Sequence, residues 1–129
     1  MTDWPGAIGA ITLFAEDLSA TKAFYQEVFG LPVFFEDADS AVFRFGETLI
    51  NLLAVTAAPE LIEPAVVGDP LANRMVLTLD VVDVDAMCTT LTERGVTLVN
   101  GPMDRPWGPR TASFRDPAGH LWEIAANGS

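Results

Sequence analysis

The sequence predicts an α+β protein made of two βαβββ modules, and three observations carry that expectation. The chain repeats itself: "ITLFAEDLSATKAFYQEVFGLPV" (residues 11–33) lies over "LTLDVVDVDAMCTTLTERGVTLV" (residues 77–99), an offset of 66 that shortens by one before the glycine. Each copy opens with an alternating stretch that ends in an acid, Asp17 or Asp83, and continues with helical spacing that stops at Gly30 or Gly95. Each helical segment is then followed by three strand-like segments separated by turn signals.

Taken in order, the first helix is expected from about Leu18 to Phe29, with Ala20, Phe24 and Val28 on its inward face. Asp17 is placed to cap it, accepting a first-turn amide and favouring the positive end of the helix dipole, and Gly30 supplies a left-handed exit. "PVFFEDA", "AVFRFG" and "TLINLLAV" read as strands, with "ADS" and "GE" as turns. Residues 56–74, with three prolines and no sustained period, read as a connecting segment with room for a short helical turn. In the second copy Asp83 or Asp85 starts the helix, Met87, Leu91 and Cys88 face inward, and Gly95 follows the end. "TLVNGP", "TASFRDP" and "HLWEIAA" are its strands, and "DPAG" is a strong turn between the last two. The expected organisation is one domain over residues 1–129, with module one at about 7–55 and module two at about 75–127.

Composition narrows the function classes. A chain of 129 residues buries roughly two thirds of its unfolded surface, enough for a real core. Polar and acidic residues interrupt every apolar stretch short of the roughly 20 residues a membrane helix needs, and the N-terminal residues lack a basic segment ahead of an apolar one, so a cytoplasmic protein without a membrane partner is expected. A formal charge of −11, with seven basic residues in no cluster, argues against nucleic acid. Cys88 is the single cysteine; with no basic neighbour or histidine nearby it reads as core.

The opening "AITLFAEDLSATKAFYQEVFGLPV" and the closing "PWGPRTASFRDPAGHLWEIA" resemble the vicinal oxygen chelate superfamily of glyoxalases, bleomycin-resistance proteins and extradiol dioxygenases, and the resemblance covers nearly the whole chain. It implies that the two modules form an eight-stranded half-open barrel with ligands or metals on its concave face, and that the protein is a homodimer. Family metal sites take a His or Glu from the first and last strand of each module. Here those positions fall on Ala10, Asn51, Val76 and Glu123, of which only Glu123 is a strong ligand type. Neither a bound metal nor another cofactor is therefore expected, and the metal-dependent glyoxalase and dioxygenase reactions are disfavoured.

Strand parity fixes the rest of the candidate site. In "HLWEIAA", His120, Trp122 and Ile124 point one way and Glu123 the other, so if the tryptophan packs under a helix the carboxylate faces the ligand. Glu123 is then an acceptor for a ligand or a general base removing a proton next to a carbonyl; alternatively it is solvated, or paired with Arg110 or Arg115, and Arg110 is itself counted among the ligand-binding candidates. The same parity puts Thr12 and Phe14 with Ala10, Leu49 and Leu53 with Asn51, and Thr78 and Asp80 with Val76. Polar groups among apolar walls are the usual make-up of a small-molecule site. In the bleomycin-resistance branch a similar "PWG" segment lies along the ligand groove, which implies that Trp107 stacks on a planar ligand. Phe34 or Phe35, and Phe43 or Phe45, are further candidates whose parity the sequence leaves open. The resulting reading is a metal-free binder of a small molecule, aromatic or cationic, as in drug-sequestering members. The alternative is an enzyme of the same fold, a lyase, isomerase or dioxygenase-like protein, using Glu123 as base or as the one strong ligand of a weakly held divalent ion. The sequence leaves binding and catalysis open.

Overall fold

In the computed structural model, which describes residues 3–127, each half of the repeat lays one long helix on one four-stranded sheet. The chain divides into two units between Val67 and Gly68, inside the segment 56–74. In the first unit β1 (Ala10–Ala15), α1 (Leu18–Glu27), β2 (Phe35–Glu36), β3 (Ser40–Phe45) and β4 (Thr48–Ala54) build a sheet of order β1-β4-β3-β2. A 3₁₀ turn at Val55–Ala57 and the short α2 (Ala58–Ile62) follow. In the second unit β5 (Leu77–Asp80), α3 (Val84–Glu93), β6 (Leu98–Asp104), β7 (Pro109–Arg115) and β8 (Leu121–Asn127) give the order β5-β8-β7-β6. The first and last strands of each unit run parallel and the other pairs antiparallel, so the architecture is the α+β, twice-βαβββ one expected, and neither sheet closes on itself.

Both helices start where a side chain can satisfy a free amide. Asp17 accepts from the Ala20 N–H at 3.0 Å and Asp83 from the Ala86 N–H at 3.1 Å. The buried stripe of α1, however, is Thr21, Tyr25 and Val28, not Ala20, Phe24 and Val28: Ala20 is exposed and Phe24 half-buried. Thr21 hides its hydroxyl by donating to the Asp17 carbonyl at 2.8 Å, and Tyr25 packs among Phe29, Phe43 and Phe45, whose ring centroids lie 5.2, 5.4 and 6.3 Å away. In α3 the inward residues are Val84, Cys88 and Leu91, while Met87 is 39% exposed. Cys88 and Leu91 thus face inward as expected, and the first-turn Val84 takes the place expected for Met87 against the sheet.

Strand β2 is two residues long where seven were expected. The Asp37 carboxylate accepts from the Asp39 N–H and the Ser40 hydroxyl, both at 2.9 Å, which turns the chain into β3 at once. Residues 101–110 around Trp107 are mostly strand: β6 runs to Asp104 and β7 starts at Pro109, leaving a tight turn closed by Arg105 N–H to Pro109 C=O at 2.8 Å.

Register then fixes which side chains share a face. In the first unit Leu13, Leu52, Ala41 and Phe43 lie under α1, and in the second Trp122, Ile124, Ala112 and Phe114 lie under α3, all nearly or wholly buried. The opposite face of each sheet turns away from its long helix; in the first unit the short α2 borders it, through Glu60 and Leu61.

Candidate functional site

Parity places the candidate residues on the faces turned away from α1 and α3. In the first sheet Thr12 pairs with Asn51 and Asn51 with Val42, so these three form one row. The Asn51 amide donates to Thr12 Oγ1 at 3.3 Å, and its Oδ1 is buried with no partner among the described residues. In the second sheet the equivalent row is Thr78, Glu123, Ser113 and Asn100, and here Thr78 Oγ1 donates to Glu123 Oε1 at 2.9 Å. The repeat thus places a threonine on the first strand of each unit against an amide or carboxylate on the last. Trp122 and Ile124 are buried on the far side, as required for Glu123 to face away from α3.

Phe14 and Leu53 share the face of Asn51, and Asp80 shares that of Glu123. Leu53 and Asn51, with Ser40, line a recess of about 320 Å³ in the first unit, whose other walls include Asp37, Asp39 and Glu60. Hydrogen bonds from the Asp39 amide and then the Ser40 hydroxyl hold the Asp37 carboxyl below the usual range. Phe35 pairs with Val42 and so belongs to this face; Phe43 does not, being fully buried against Tyr25. Arg44 stacks over Phe34 at 5.8 Å.

Two assignments change. Arg110 lies on the helix side: it makes a bidentate ion pair with Asp85 of α3 (2.9 and 3.0 Å) and a second with Asp104 (3.1 Å), which raises its pKa and lowers that of Asp85. It neither joins Glu123 nor faces its side of the sheet. Arg115 is held by Asn73 and the Gly119 carbonyl. Arg115 shares the face of Glu123 by parity but is tied down at the end of β7 by those bonds, and a second cation on that face is Arg105, which sequence reasoning missed. Its Nε donates to Thr111 Oγ1 at 2.8 Å and a terminal nitrogen to Asn100 Oδ1 at 3.1 Å, while its guanidinium lies 5.7 Å from the ring of Trp107. The signal was there in "DRPWG": a hairpin turn next to a tryptophan returns its first residue over the sheet, but only once the turn is known to span residues 105–108. Trp107 itself is 71% exposed.

The glyoxalase/bleomycin resistance protein/dioxygenase superfamily model matches residues 7–124. The chain belongs to that superfamily. A curated relative is the uncharacterized protein YraH of Bacillus subtilis, 34% identical over 119 residues that cover 88% of this chain and 93% of YraH. Among solved structures, a glyoxalase/bleomycin resistance protein/dioxygenase from Nocardioides superposes with a TM-score of 0.85 at 24% identity, covering 97% of this chain and 85% of that one. A glyoxalase-related enzyme from Fulvimarina pelagi gives 0.81 at 26% identity, with coverages of 95% and 89%.

Membership raises the question of a metal, and the residues present do not fit one. Ala10 opens β1 and Val76 precedes β5, 47% exposed, and neither side chain has a donor atom. Asn51 spends its amide on Thr12, and Glu123 accepts from Thr78. No three His, Cys, Asp or Glu side chains among the described residues are grouped to hold an ion. Cys88 is buried under the second sheet, and that burial pushes its thiol up, away from thiolate chemistry. Among the described residues no helix is long and apolar enough to cross a membrane.

Proposed function

We propose that the protein binds small molecules on the sheet faces turned away from α1 and α3, each unit considered by itself, without using a metal. One observation supports this reading above the others. The two buried side-chain polar atoms without a hydrogen-bond partner among the described residues, Asn51 Oδ1 and Ser113 Oγ, both lie on those faces, one in each unit. An unmade hydrogen bond in a buried place costs about 1–3 kcal/mol, and a bound molecule that supplies a partner recovers it. Elsewhere polar groups are answered within the fold, as Thr21 and Arg110 illustrate. The proposed binding residues are Thr12, Phe14, Asn51 and Leu53 in the first unit, and Thr78, Asp80, Glu123 and Trp107 in the second. Glu123 acts in this reading as an acceptor that orients the ligand.

The experiment is elemental analysis of protein purified without added ions, followed by amide chemical-shift mapping with a panel of planar compounds. The expected result is no stoichiometric zinc, nickel, iron or manganese, with ligand shifts concentrated in β4 and β8. Near one equivalent of metal that disappears in Glu123→Ala, or ligand shifts confined to the helices, would refute the reading.

A further inference from the structure

The helix-free face of the second sheet is electrically polarised from one edge to the other. Its carboxylates, Asp80 and Glu123, stand on the neighbouring strands β5 and β8. Of its cations, Arg115 at the end of β7 is occupied by Asn73 and the Gly119 carbonyl, and Arg105 is anchored over β6 and β7 through Asn100 and Thr111. Adjacent strands are about 4.8 Å apart, so Asn100, two strands from Glu123, puts the anchor of the positive group roughly 10 Å from the backbone of the negative one. Between them, on β7, stands Ser113, 6% exposed, with its hydroxyl unpartnered among the described residues.

The two arginines flanking this turn are used differently. Arg110 is neutralised by two carboxylates on the helix side. Arg105 makes its hydrogen bonds to a hydroxyl and an amide oxygen and has no carboxylate partner among the described residues. A guanidinium carries five N–H donors in a rigid fork, and those two bonds leave donors to offer. Holding that fork from two sides, with Trp107 against it, fixes its position in advance, which reduces the ordering cost of binding. The chain's net charge of −11 does not cancel the local preference, because at physiological salt charges beyond about 8 Å are largely screened.

We infer that this face selects a dipolar, one-ring ligand: an aromatic carboxylate whose oxyanion meets Arg105 and whose opposite end carries a hydrogen-bond donor or ammonium that meets Glu123, with the Ser113 hydroxyl answered in between. This rests on the small-molecule reading above and adds the ligand's charge pattern and direction. Arg105 is the specificity-determining residue for the anionic end, and Glu123 for the donor end.

Four probes of one size test it: 4-(aminomethyl)benzoate, 4-methylbenzoate, 4-methylbenzylamine and 4-methylbenzyl alcohol, titrated at millimolar concentration into the full chain and followed by amide chemical shifts of β7 and β8. The doubly charged probe is expected to bind wild type about tenfold more tightly than either singly charged one. Arg105→Gln is expected to weaken both carboxylate probes about tenfold and to leave the amine unchanged. Glu123→Gln is expected to weaken both amine-bearing probes and leave 4-methylbenzoate unchanged or tighter. Arg105→Lys, which keeps the charge and loses the fork, should fall between wild type and Arg105→Gln, and a native amide spectrum shows that each variant is folded. If all four probes bind wild type and all three variants equally, the polarity inference fails while the small-molecule reading stands. If no probe shifts β7 or β8, the inference fails, and the broader reading survives only if other planar compounds shift β4 or β8.

Discussion

Asp85 and Arg110 show how a single contact decides what a residue is available for. Chiefly through the Arg110 hydrogen bonds, the Asp85 carboxyl is held below its ordinary value of 3.8. The pair's stabilisation is therefore fully present above that ordinary value and is lost as pH falls through the lower folded-state value. Carboxyl-carbon NMR titration should show Asp85 rising toward 3.8 in Arg110→Gln, with no change at Asp37, whose low value comes first from the Asp39 amide. Ser40→Ala should raise Asp37 only part of the way, since that amide remains. At the candidate site, Trp107→Ala is expected to weaken planar ligands by about 1–3 kcal/mol, through loss of a stacking surface and of the support under Arg105. Isothermal titration with 4-(aminomethyl)benzoate measures it; unchanged affinity would mean that the indole merely covers the turn. The facing of Glu123 was legible in the sequence because alternation in "HLWEIAA" is a covalent property of a strand. The choice of arginine was not. Arg110 and Arg105 both flank a Gly/Pro/Trp turn, and which one returns over the sheet depends on where the turn closes.

At the scale of elements, what could be read in advance is what side chains fix locally. Asp17 and Asp83 each bond the amide three residues on, and replacing either by alanine should cost about 0.5–2 kcal/mol in urea unfolding, with the m-value unchanged. The inward face of α1 was misread by one position because a threonine counts as polar in a pattern, although Thr21 satisfies itself on the Asp17 carbonyl and is fully buried. β2 was overestimated because the Asp37 turn that ends it competes with the ladder. Glycines differ in the same way. Gly30, at φ +69°, has open space where a Cβ would go, whereas at Gly101, φ +85°, the added atom would strike the Thr111 carbonyl and the Ala112 Cα. Gly30→Ala should therefore cost about 1–2 kcal/mol for the left-handed backbone alone, and Gly101→Ala clearly more, because β6 must also move away from β7. Equal losses in the two variants would show that β6 yields without strain, and with it the anchor that Asn100 provides for Arg105.

For the whole molecule, the repeat explains why two sheets share one plan, and the plan leaves surface to be accounted for. The sheet orders β1-β4-β3-β2 and β5-β8-β7-β6 put β1, β2, β5 and β6 at edges, where backbone donors and acceptors are unpaired within the sheet. Large apolar side chains are also in water, including Ile8, Phe34, Phe35, Leu71 and Val82. Closed two-fold pairing is the commonest way to cover such surface without leaving a further edge to polymerise. We therefore expect a homodimer: light scattering should return twice 13.9 kDa at micromolar concentration, and the thermal midpoint should rise with protein concentration as dissociation is coupled to unfolding. A mass of 13.9 kDa throughout that range, with a midpoint independent of concentration, would mean that the exposed edges and side chains are tolerated by the isolated chain, and a net charge of −11 repelling like copies would then be the physical reason they stay apart.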